Sequence, residues 1–162
     1  MYNAKEIAGI KNYMLKHRQT LAVAESVTSG HLQAALSLAV GASEFFQGGI
    51  TAYNIGQKSR HLKVNAIHAL STNCVSKRVS EEMALNAIAF FSSDWAIGIT
   101  GYAAPVPELN ISDLFAFYAI AYKSEIVVSK KISAKDEGPF KVQVFYTDSV
   151  LKEFSKYLSK KS

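Results

Sequence analysis

A serine that attacks a carbonyl needs a group to take its proton and donors to hold the negative charge that develops. Ser26, in Ala24-Glu25-Ser26-Val27-Thr28-Ser29-Gly30, stands where a short apolar run gives way to a helical pattern. A helix start there would offer the free amides of Thr28, Ser29 and Gly30 to an anion or a tetrahedral oxyanion. The placement suits acyl transfer or phosphate binding, but serine and threonine also cap helices, and the segment alone does not separate these roles. Two residues further along could accept the serine proton, Tyr53 and Lys58. A lysine desolvated near a helix amino terminus binds its proton less tightly and becomes a base, whereas a surface lysine does not. A strand-end tyrosine can equally hold its hydroxyl in water without any task.

The remaining reactive residues point away from other chemistries. Cys74 is the single cysteine, so an internal disulfide, a Cys-based zinc site and a CxxC redox pair are all absent. His17, His31, His61 and His68 lack metal-binding spacing and have no dense acidic cluster beside them, so no metal is expected. The net charge is +5, but much of it lies in Lys130-Lys131, Lys135 and the carboxy-terminal Lys152, Lys156, Lys160 and Lys161, where aromatic and basic residues form no recognisable binding platform. That pattern argues for a solvated face and against nucleic-acid binding. With 49% apolar and 19% charged residues the chain has an ordinary globular composition. It lacks an apolar run of the ~20 residues that a membrane-spanning helix requires, and the amino terminus has no signal pattern, so a cytoplasmic location is expected.

These groups must be positioned by elements that the apolar pattern predicts. A first helix runs from Ala4 to His17, and Leu21 to Ala24 reads as a buried strand, followed by a helix through Leu32, Ala35 and Leu36 that Ser26 or Thr28 caps and Gly41 ends. Phe45 to Tyr53 reads as a strand in which Gly48-Gly49 permits close backbone approach, and a short polar helix follows from Ile55 to about Leu62. Ser76 is placed to cap a long helix through Phe91, ahead of a buried strand from Trp95 to Gly101. A loop from Ala103 to Ser112 holds Pro105 and Pro107. Leu114–Tyr122 and Glu125–Ile132 then form a hairpin about Lys123-Ser124, and Gly138-Pro139 opens a last helix. The order implies a single α/β domain over residues 1–162, with helices on both faces of a mixed, mostly parallel sheet. In such sheets ligands bind beyond the carboxyl ends of the strands, here Glu25-Ser26, Tyr53-Asn54 and Thr100-Gly101.

The same segments resemble the CinA carboxy-terminal domain family, nearly end to end. Ala24-Glu25-Ser26 with Thr28 and Gly30 is similar to its AESxTGG motif, and Gly48-Gly49 through Tyr53 to Lys58 to its GGxxxYxxxxK motif. Val75-Ser76 and Gly98-Ile99-Thr100-Gly101 match two further family positions in order. The resemblance implies a three-layer α/β/α domain that hydrolyses the amide of nicotinamide mononucleotide to nicotinic acid mononucleotide and ammonia. No metal or organic cofactor is implied, and a homo-oligomer is the expected assembly. By motif, Ser26 would be the nucleophile and Lys58 and Tyr53 would activate it or shuttle its proton. Glu25, Thr28, Ser29, Gly30, Gly49, Thr100, Gly101 and Lys141 would form the substrate site. The chain departs from the family at Val27 and Ser29, where Cys and Gly are usual, and at Gly101 to Asn110, where a Gly-rich phosphate loop is usual. Lys141 stands near the usual place of an arginine. These departures favour a less anionic amide, or a relative that binds a nucleotide-like ligand or a protein partner without catalysis.

Overall fold

Leu21-Ala22-Val23-Ala24 is apolar at every position, which suits a strand covered on both faces. It forms β1 (Leu21–Glu25), buried along its full length, in a computed structural model that describes residues 1–161. β1 lies between β2 (Phe46–Thr51) and β3 (Trp95–Gly101) and runs parallel to both. β4 (Leu114–Tyr122) pairs antiparallel with β3, and β5 (Glu125–Ala134) antiparallel with β4 across the tight turn at Lys123-Ser124. The strand order is β2-β1-β3-β4-β5, so four of the five strands point the same way in a mixed sheet. This is the α/β architecture that the alternation of elements predicts.

Side chains alternate across the sheet and divide its packing into two layers. Leu21, Val23, Trp95, Ile97 and Ile99 face a core shared with α1 (Ala4–His17), α2 (His31–Ser37) and α6 (Pro139–Ser159). The opposite face is built of small residues, Ala24, Ala96, Ala119 and Ala121, and it receives α5 (Lys77–Phe91) with α3 (Ile55–Leu62) and α4 (Ala66–Ser71) alongside. Gly98 shows how close α5 comes. A methyl group there would lie 2.4 Å from the Ser80 carbonyl oxygen and 2.6 Å from the Ala84 nitrogen.

Three local features differ from the sequence reading. α4 is only six residues long, too short to show helical periodicity, and is held by the Asn65 side chain accepting from the His68 amide. α2 ends at Ser37, and Gly41, at φ +76°, instead introduces a short 3₁₀ turn over Ala42–Glu44. Neither Ser26 nor Thr28 caps α2. The helix begins after Gly30, and a buried carboxylate does the capping.

Candidate active site

The parallel register places three strand ends side by side, with Glu25 opposite Thr51 on one flank and Ile99 on the other. Ser26 therefore follows β1 in line with Ala52 and Thr100. Glu25 itself is fully buried, and its side chain turns under the loop that follows. Its carboxylate accepts from Thr28 Oγ1 at 2.6 Å and from the amides of Gly30, Leu32 and Gln33 at 3.1, 3.0 and 2.8 Å. An anion at a helix amino terminus is favoured by the unpaired amides and the helix dipole. Glu25 is thus occupied in fixing the Ser26 loop, which corrects its assignment to substrate binding.

The loop geometry also changes which amides are free. Ser29 N donates to Ser26 O at 3.1 Å, closing a turn, and Gly30 N is taken by Glu25. The amides of Val27 and Thr28, the first two after the serine, have no acceptor among the described residues. These two replace Ser29 and Gly30 as candidate oxyanion donors. Ser29 is exposed and held at φ +47°, a left-handed conformation in which glycine is the relaxed residue. It serves the turn and does not line the cavity described below.

Lys58 enters from α3, whose start is set by Asn54 accepting from the Gln57 amide at 3.0 Å. One helical turn inward, the lysine is only 1% exposed. Its Nζ lies 2.8 Å from Ser26 Oγ, 2.9 Å from the Ala52 carbonyl oxygen and 3.2 Å from that of Tyr53. Among the described residues no carboxylate pairs with it. Burial pushes the Lys58 pKa below its ordinary 10.5, opposed in part by the Cys74 thiol nearby. The three partners suit both protonation states. As an ammonium ion Lys58 donates to all three oxygens; as a neutral amine it keeps both carbonyl acceptors and turns its lone pair to the Ser26 hydroxyl.

Ser26 and Lys58 open onto a cavity of about 680 Å³ at the carboxyl ends of β1, β2 and β3. Thr100 and Gly101 line it, and Thr100 Oγ1 is engaged with the Cys74 carbonyl at 2.7 Å and so holds the opposite wall. Tyr53 lines it too, but the residue is 72% exposed and its hydroxyl bonds to nothing among the described residues. Its contribution to the Lys58–Ser26 pair is its backbone carbonyl. Thr28 is buried behind the loop on Glu25. Gly49 lies in the interior of β2, where a methyl group would be 2.5 Å from both Gln33 Cγ and Val23 Cγ2, so it is a packing residue and not a substrate contact. Lys141 is exposed and does not reach the cavity; Pro139 and Gln143, on another face of α6, do.

Sequence reasoning missed the wall formed by Asn73, Cys74 and Tyr102. Asn73 and Cys74 have φ values of +49° and +61°, and Asn73 Nδ2 donates to the Tyr102 hydroxyl at 3.2 Å. The Tyr102 carbonyl in turn accepts from the buried Tyr146 hydroxyl at 2.9 Å. An Asn-Cys pair ahead of a helix cap was a turn signal, but nothing in its spacing connected it to Ser26.

Comparison with known proteins adds a family to this geometry. Residues 4–152 match the family model described as the CinA C-terminal domain. The chain belongs to that family. A CinA-like protein of Picosynechococcus sp. is 47% identical over 93 residues, covering 57% of this chain and 22% of that protein. One from Prochlorococcus marinus is 43% identical over 90 residues, covering 56% of this chain and 21% of that protein. These alignments thus span only about a fifth of the relatives' length. The same fold occurs in the crystal structure of competence damage-inducible protein A from Klebsiella pneumoniae (TM-score 0.89, 23% identity, 96% of each chain). It occurs again in a CinA superfamily protein from Enterobacter cloacae (TM-score 0.90, 21% identity, 98% of this chain and 93% of that one).

In this CinA domain the cavity is chemically uneven. Ser26 and Lys58 occupy its floor, while Val27, Ile55, Leu70, Val75, Pro105 and Val106 give apolar walls. Among the described residues, Lys58 is its only Lys, Arg, His, Asp or Glu lining residue. Among the described residues no group of three or more His, Cys, Asp or Glu side chains is placed to hold a metal ion, and no helix is long and apolar enough to cross a membrane.

Proposed function

We propose that the protein is a serine amidohydrolase in which Ser26 is the nucleophile and Lys58 its general base, with the carboxamide of a nicotinamide nucleotide as the reacting group. The observation that carries the reading is the 2.8 Å contact between a buried, carboxylate-free lysine amine and the serine hydroxyl beside a ligand-sized cavity. Neutral Lys58 takes the Ser26 proton as Oγ bonds to the amide carbon, and the carbonyl oxygen becomes an oxyanion facing the amides of Val27 and Thr28. The Lys58 ammonium then gives its proton to the nitrogen, the C–N bond breaks, and ammonia leaves an acyl ester on Ser26. Water, deprotonated by the same amine, cleaves that ester to the carboxylate and restores the hydroxyl. Tyr53 O and Ala52 O keep the amine in place throughout. For nicotinamide mononucleotide the products are nicotinic acid mononucleotide and ammonia.

The test is ammonia release from nicotinamide mononucleotide and simpler nicotinamide derivatives, in parallel with Ser26→Ala and Lys58→Ala. Release by the wild-type protein that both substitutions abolish supports the reading. A second reading, ligand binding without catalysis, is favoured by the strained Ser29 and the glycine-poor segment from Tyr102 to Asn110. Saturable binding of these compounds with no ammonia at high enzyme concentration would select it.

A further inference from the structure

Tyr102 lines the cavity with its position fixed from several sides. Its amide donates to the Phe115 carbonyl at 2.9 Å, its carbonyl accepts from the buried Tyr146 hydroxyl at 2.9 Å, and its ring packs edge-on against Phe115 at 5.4 Å. The residue is only 8% exposed. Its hydroxyl oxygen accepts from Asn73 Nδ2 at 3.2 Å, so the hydroxyl hydrogen is still to be placed, and it has no acceptor among the described residues. A phenol this deeply buried ordinarily spends that hydrogen on a partner. Asn73 is half-committed in the same way. It gives an N–H to Tyr102, while its Oδ1 receives no bond among the described residues.

Both residues line the cavity, so a ligand meets a phenol donor and an amide acceptor on two adjacent side chains that already hold each other in place. In the nicotinamide ribonucleotide of the amidohydrolase reading, the carboxamide belongs at Ser26 with the amides of Val27 and Thr28. A phosphate oxygen set on the pair would face Asn73 Oδ1 with no hydrogen between them, whereas the amides of the lining residues Ala103 and Ala104 are unpaired among the described residues and remain for an anion. The ribose diol has the complementary form, because one hydroxyl accepts from Tyr102 while its neighbour donates to Asn73. We infer that Tyr102 and Asn73 are specificity-determining residues that read the vicinal diol of a ribonucleoside-type substrate. The inference rests on the amidohydrolase reading for the end of the ligand that lies at Ser26, and on the two uncommitted groups for the rest.

The experiment compares nicotinamide mononucleotide with its 2′,3′-dideoxy analogue on the full chain, measuring binding by calorimetry and turnover by ammonia release. Two variants accompany the wild type: Tyr102→Phe, which keeps the ring and its contact with Phe115, and Asn73→Gly, which keeps the left-handed turn at φ +49°. The wild-type protein is expected to bind the ribose compound about thirtyfold more tightly, roughly 2 kcal/mol for two hydrogen bonds. Each variant should cut that ratio about fivefold by weakening the ribose compound alone. Equal wild-type affinity for the two compounds, a ratio that both variants leave unchanged, or variants that weaken both compounds alike overturns the inference, even if ammonia is released and the amidohydrolase reading stands. A diol preference that the variants erode, with no ammonia from either compound, supports the inference and sinks the catalytic reading. Absence of both binding and turnover defeats both.

Discussion

Replacing Lys58 with methionine removes the amine while keeping an unbranched chain of similar length. Among the described residues Ser26 Oγ then has no base, since its one hydrogen-bond partner is Lys58 Nζ. General base catalysis is worth about 10²–10⁴ in rate, so the barrier should rise by about 2.7–5.4 kcal/mol. Folding should survive. The carbonyls of Ala52 and Tyr53 lose a donor at about 1–3 kcal/mol each, offset by removal of a buried cation that no carboxylate neutralises. The assay is ammonia release as a function of pH. Burial lowers the Lys58 pKa, so the wild-type rate should climb as the amine deprotonates and reach its plateau below the ordinary lysine value of 10.5. Between the lowered folded pKa and 10.5 the unfolded chain holds the extra proton, so the Lys58 contribution to stability also rises with pH across that window. Below the folded pKa the cost of burying the cation is present in full. Lys58→Met should lack both pH effects. A folded Lys58→Met protein with a rate within a few-fold of wild type, or with the same pH limb, would refute the reasoning.

Other substitutions test the frame around the pair. Glu25→Gln puts an NH₂ group against four donors and removes the charge they share, so thermal unfolding should show a loss of about 2–3 kcal/mol, roughly 4–12 °C for a chain of this size. Gly98→Ala forces α5 off the sheet, because its methyl group would meet Ser80 O at 2.4 Å; denaturant titration should register about 1–3 kcal/mol of destabilisation. Ser29→Gly relieves a left-handed backbone at φ +47° and should raise the unfolding free energy in a denaturant titration by about 1 kcal/mol, a gain that Ser29→Ala should not reproduce.

Much of this arrangement was legible because strong local signals agree. The apolar run Leu21–Ala24, the cap at Ser76 and the Gly138-Pro139 opening each specify an element by themselves, and the three strand ends follow from the α/β order. Lys58 was legible through its motif, and its burial comes from the short α3 that Asn54 starts. Glu25 was misjudged because a carboxylate beside a reactive serine reads as a site residue. Only the turn at Ser26 to Ser29, which swings the amides of α2 beneath it, reveals the capping role. Gly49 and Lys141 were misplaced for a related reason: spacing locates a residue along the chain, whereas strand packing and helix phase decide which way it faces. Asn73 and Tyr102 meet across a sequence gap of 29 residues, and no local pattern encodes that contact.

The central claim is that Ser26 is a nucleophile made reactive by Lys58. The most direct measurement is peptide mass spectrometry after brief exposure to a serine-directed fluorophosphonate. The account predicts a single covalent adduct on Ser26, forming faster as pH rises through the Lys58 pKa and largely lost in folded Lys58→Met. Absence of labelling at Ser26, or labelling that Lys58→Met leaves unchanged, would contradict it.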